Sequence, residues 1–105
     1  MCSSDLGLAC RVPDAQALAM ICRTVDDVIA VTDAEIAAAM RALFADTHNV
    51  AEGAGAAALA GALQQRDRWL GKRIGITLTG ANVDSALFAQ VLRGETFPLQ
   101  LAPPE

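Results

Sequence analysis

Thr79-Gly80-Ala81-Asn82 closes the apolar run RIGITLT, residues 73–79. A short run of this kind between turn signals reads as a buried strand. Ligands of open parallel sheets sit outside the C-terminal ends of the strands. The Thr79 hydroxyl can donate or accept one hydrogen bond toward such a ligand. It can equally bond its own loop backbone, as threonines at turns do. Glu52 stands just ahead of the Gly-Ala run at residues 53–58, where a carboxylate suits a helix N-terminus. That run, GAGAAA, fits G-x-G-x-x-A, the dinucleotide fingerprint, but the fingerprint needs a strand immediately before it. Here FADTHN precedes, continuing a helix and a polar loop, and Asp67 falls too early to be the acidic residue of the next strand. His48 is the only histidine and reads as a loop or cap residue. Lys72 is the only lysine, beside Arg73, and reads as a solvated charge. No nucleophile elbow, phosphate-cradling loop or metal-ligand set is present in the sequence.

The elements that position these residues follow from periodicity. Residues 7–12, GLACRV, read as a short extended segment, and Pro13 suits the first turn of a helix. Leu18, Ile21 and Cys22 form one apolar stripe on that helix. DVIAV, residues 27–31, is a β-branched run expected to be a buried parallel strand. Thr32 and Glu35 make a Thr-x-x-Glu capping box, and Ile36, Met40, Leu43 and Phe44 follow on one helical face. From Gly53 a helix is expected through to Trp69 and Leu70, with Gly71 as its stop. Each glycine in its first turns costs about 1 kcal/mol against alanine, so something large is expected to come close there, a backbone or a flat ligand. Residues 73–79 are the second strand. Asn82 or Asp84 caps a last helix burying Leu87, Phe88, Val91 and Leu92, which Gly94 ends. The order is α/β with a parallel sheet, but with too few strands to close one, so the chain reads as the C-terminal part of a larger domain.

The totals narrow the partners. The chain has 105 residues and a net charge of -4, which argues against a phosphate backbone. One Trp and no Tyr leave little for stacking bases. No apolar run is long enough for a bilayer, and no signal peptide is recognisable. Cys2, Cys10 and Cys22 lack metal-ligand spacing, so a cytoplasmic chain with reduced thiols is expected. Residues 2–6, CSSDL, are the translation of TGCTCTTCCGATCT, which resembles the end of a common sequencing-adapter oligonucleotide. Residues 1–6 are therefore expected to be a non-native leader, and residues 96–105 an irregular tail.

GLACRVPD, DDVIAVTDAEIAAAMRALF, HNVAEGAGAAALAGAL and GKRIGITLTGANVD together resemble, in order, the C-terminal part of the catalytic domain of threonine dehydratases, also called threonine ammonia-lyases. Serine dehydratases and serine racemase belong to the same group. The resemblance runs over residues 7–95. It implies the second fold type of pyridoxal-phosphate enzymes, in which a strand ends in Ser-Gly-Gly-Asn or a close variant and the serine hydroxyl bonds the pyridine nitrogen of the cofactor. Thr79 matches that serine; Gly80 and Asn82 match the turn, with Ala81 in place of the second glycine. Glu52 matches the glutamate ahead of the Gly-Ala helix, near the ring, and the small residues 53–55 would let that loop approach it. Gly7 matches a glycine beside the ring, although the family's preceding Ala-Asp is absent.

The implied reaction is loss of water from L-threonine or L-serine, yielding a 2-oxo acid and ammonia, in a full-length homo-oligomer. A racemase-like or 3-hydroxyaspartate-directed member of the group is the alternative. The Schiff-base lysine and the phosphate-holding glycine loop belong to the N-terminal half of such a domain, so the 105 residues alone are expected to be inactive. A small non-catalytic α/β binding module, using the Gly-Ala helix for packing, is the competing reading from another class.

Overall fold

The computed structural model describes residues 12–95. The expectations placed on residues 1–11 and 96–105 lie outside the described residues: the leader, Cys2, Cys10, Gly7, most of the first extended segment and the tail. Four α-helices follow in order: α1 (Ala15–Thr24), α2 (Asp33–Thr47), α3 (Gly53–Gln64) and α4 (Ser85–Leu92). A 3-10 helix, Arg66–Trp69, follows α3.

α1 and α2 begin where a side chain satisfies a free amide of the first turn. Asp14 caps α1 by accepting from the Ala17 amide at 2.9 Å. Pro13 therefore lies ahead of the cap, not inside the first turn as expected, because the carboxylate next to it is the better acceptor. The stripe of Leu18, Ile21 and Cys22 is exposed, and no described element faces it. The α2 capping box forms in full: Thr32 Oγ1 accepts from the Glu35 amide at 3.1 Å, and Glu35 Oε1 accepts from the Thr32 amide at 2.8 Å. His48 ends α2 with φ at 60°, and its amide donates to the carbonyls of Leu43 and Phe44. It does at this C-cap what glycine usually does.

The core is small and built on α2 against α3. Ile36, Ala37, Ala39 and Met40 of α2 meet Ala56 and Ala60 of α3, with Ala51 and Val91 completing the buried set. Alanine on both faces lets the two helices approach closely. α4 closes over α2 through Val91, whose carbonyl accepts from the Arg41 guanidinium at 3.1 Å. Phe44 and Phe88 meet edge to face at 5.5 Å, a favoured aromatic geometry. Leu43, Phe88 and Leu87 are half-buried, whereas Phe44 and Leu92 remain exposed.

Two expectations are corrected. α3 ends at Gln64 rather than near Leu70. Its amide side chain reaches back to the Ala30 carbonyl at 2.8 Å and Glu35 Oε1 at 3.0 Å, and the backbone then tightens into the 3-10 helix. Gly71, at φ 75°, stops that turn instead. The parallel sheet is not formed among the described residues: 27–31 and 73–79 carry no strand and exchange no ladder bonds. β-Branched residues make a segment fit a sheet but cannot supply the partner strands. What remains of the α/β reading is its helical layer, with Ile29, Val31, Ile74 and Ile76 lining an open trough beside α3.

Candidate functional site

Two of the residues singled out, Glu52 and Gly80, meet at the first turn of α3. The amide of Glu52 donates to the carbonyl of Gly80 at 3.0 Å. Glu52 is the N-cap of α3, but its side chain makes no capping bond. Its carboxylate lies instead against Gly80, where a Cβ would overlap Oε1 and stand 3.1 Å from Cδ. Gly55 faces the same peptide: a Cβ there would collide with the Gly80 carbonyl oxygen. The loop that follows Thr79 is thus laid directly on the helix that follows Glu52. Glycine is required at Gly55, where backbone already occupies the space, whereas at Gly80 the occupant is the end of the flexible Glu52 side chain.

Thr79 is exposed, and its hydroxyl makes no hydrogen bond to any described residue. The reading in which that hydroxyl ties down its own loop therefore finds no bond here. Asn82 is exposed at the centre of a three-residue turn, closed by the Val83 amide donating to the Ala81 carbonyl at 2.9 Å. Its amide shapes no bond among the described residues. Asp84, not Asn82, stands at the α4 N-cap, without a side-chain bond. Gly7 lies outside the described residues.

The other candidates fall away from this point. His48 Nδ1 stands 3.2 Å from the Phe44 carbonyl oxygen, as part of the α2 C-cap. Lys72 is exposed, and its amide closes the turn onto Trp69 at 2.9 Å. GAGAAA opens a helix, but no strand leads into it. Among the described residues no group of three or more His, Cys, Asp or Glu could hold a metal ion, and no helix is long and apolar enough to cross a membrane. At this joint the Glu52 carboxylate lies against Gly80, and the exposed Thr79 immediately precedes Gly80 in the chain.

Motif reasoning alone missed the pairing of Gly55 with Gly80. Two glycines that each oppose the local preference, one in a helix and one at an apolar run's end, were the available signal. It marks a close approach without naming its partner.

The family described as pyridoxal-phosphate dependent enzyme matches residues 5–80, which include Glu52, Gly55, Thr79 and Gly80. L-threonine ammonia-lyase of Thermotoga maritima is 33% identical over 86 residues, covering 82% of this chain and 21% of the relative. L-threo-3-hydroxyaspartate ammonia-lyase of Saccharomyces cerevisiae is 35% identical over 77 residues, covering 73% and 24%. Phenylserine dehydratase of Ralstonia pickettii is 44% identical over 73 residues, covering 67% and 22%. The chain spans between a fifth and a quarter of the length of the curated relatives it matches. No solved structure matches it.

Proposed function

The chain belongs to the pyridoxal-phosphate-dependent enzymes, and we propose that it forms the pyridine-nitrogen side of the cofactor site in an ammonia-lyase acting on a β-hydroxy amino acid. The observation that supports this reading is the joint between Glu52 and Gly80, which seats the residue following Thr79 against the start of α3. The relatives named above act, by their names, on threonine, 3-hydroxyaspartate and phenylserine, all amino acids with a β-hydroxyl. L-threonine or L-serine is the substrate we favour.

Thr79 would hold the ring nitrogen through its hydroxyl. Gly80 and Asn82 would shape the turn beneath it, Glu52 would flank the ring, and Gly7 would lie beside it. When bound, pyridoxal phosphate supplies the electron sink for breaking bonds at the substrate's α-carbon. Thr79 is neutral and acts by a hydrogen bond, so it does not force a proton onto the ring nitrogen as a carboxylate would. That restraint favours expulsion of the β-hydroxyl over transamination. The amine that carries the cofactor would come from residues beyond these 105, since Lys72 lies in a solvated turn.

The test is 2-oxo acid release from L-threonine and L-serine by the full-length protein that carries this segment, with and without Thr79→Ala. Release is expected, and the substitution should lower it about tenfold, the worth of one strong hydrogen bond at the reaction centre. Release that ignores the substitution removes Thr79 from the site; no release from either amino acid overturns the substrate reading.

A further inference from the structure

The Gly80 peptide is held from two directions. Its carbonyl accepts from the Glu52 amide at 3.0 Å. Its nitrogen and carbonyl carbon would stand 3.0 and 3.3 Å from a Cβ at Gly55, and the carbonyl oxygen would overlap it. All three are backbone atoms, which cannot swing aside as a side-chain tip can. Gly61, on the same helix, differs: a Cβ there meets only Val31 Cγ1 at 4.0 Å. Alanine is otherwise the better helix residue at both places, so the contact with Gly80 alone accounts for the need at Gly55.

We infer that Gly55 is a positioning residue: through the Gly80 peptide seated on it, it fixes where the Thr79 hydroxyl stands relative to Glu52. This deepens the cofactor-site reading above and rests on it. It also reassigns the glycine, from admitting a ring toward α3 to admitting a backbone. A side chain at residue 55 would lift the Gly80 peptide from the helix and stretch its bond to Glu52. Thr79, one peptide away, would move with it. Misplacing a group costs at most what removing it costs when nothing else is disturbed, here about tenfold for the Thr79 hydroxyl.

Two measurements test this. In the 105-residue chain, amide hydrogen exchange is compared between Gly55→Ala and Gly61→Ala. The Glu52 amide should exchange about tenfold faster or more in Gly55→Ala and be unchanged in Gly61→Ala, because local opening is read amide by amide. Met40 and Ala60 should keep their protection in both. Unchanged protection at Glu52 overturns the inference. Loss at Met40 and Ala60 as well overturns it too, by making Gly55 a general packing residue.

In the full-length holoenzyme, the cofactor's visible absorption band and the KM and kcat for the amino acid are read together. Gly55→Ala should shift the band in the same direction as Thr79→Ala. It should lower kcat by up to about tenfold, no more than Thr79→Ala does, while KM changes less than about threefold. The double variant should be no worse than Thr79→Ala. An unshifted band in Thr79→Ala takes down the cofactor reading itself. A shifted band in Thr79→Ala with an unshifted one in Gly55→Ala, or fully additive losses, takes down the positioning role alone.

Discussion

Thr79 and Glu52 relate to the Gly80 peptide in different ways: one precedes it in the chain, the other is hydrogen-bonded to it through its amide. Thr79 is exposed and unengaged by any described residue, so its hydroxyl is available to a ligand. Glu52 has its amide committed to Gly80 and its side chain laid against the same residue. A second carboxylate, Glu35, shows what full engagement does. The Thr32 amide donates to it first, and the Gln64 side chain second, which hold its carboxyl below the usual glutamate range. A depressed folded value means stabilisation that is complete above the unfolded glutamate range and lost as pH falls through the folded value. The urea midpoint of the chain should therefore drop on the acid side of that range. Glu35→Gln should flatten that part of the profile and lower the midpoint at neutral pH. A profile of unchanged steepness in the variant would show that other carboxylates set it.

At the scale of elements, the local signals were legible and the non-local ones were not. The capping box at Thr32 and Glu35 and the start of α3 at Gly53 are where short-range chemistry puts them. Each depends on residues within one turn. The strands at 27–31 and 73–79 depend on partners elsewhere in the chain, and periodicity cannot provide those. The Gly55–Gly80 contact is equally non-local, so glycine content revealed a close approach but not its target. Thr79, Gly80 and Glu52 became a site on paper only through the family resemblance; spacing alone left the loop-backbone alternative open for Thr79. These local terms have predictable sizes. Thr32→Ala should cost about 1 kcal/mol by removing one side of the box. Gly61→Ala should stabilise by up to about 1 kcal/mol, since its Cβ enters open contact with Val31. Urea unfolding of both variants reads the two effects with opposite signs. A destabilised Gly61→Ala would mean that α3 and the 27–31 segment pack more tightly than the 4.0 Å contact allows.

The molecule as a whole has more apolar surface than its core consumes. The buried set is mostly alanine, and only Met40 and Val91 are large side chains fully out of water. Ile74, Ile76 and Leu78 stay 46%, 42% and 38% exposed along the segment that ends in Thr79. Beside α3, Trp69 and the two unpaired segments line a trough of about 570 Å³. Thr79 is exposed at the far end of the 73–79 segment, so water reaches it. Chemistry at an α-carbon needs that water excluded and an amine held in place. Lys72 meets neither need, being exposed in the turn before the segment whose far end is Thr79. The purified chain, given pyridoxal phosphate with L-threonine or L-serine, should therefore release no 2-oxo acid above a protein-free control. Release that survives dialysis and scales with chain concentration would contradict this. It would mean that one edge of the site, without an enclosing wall, is enough to direct the cofactor's reaction.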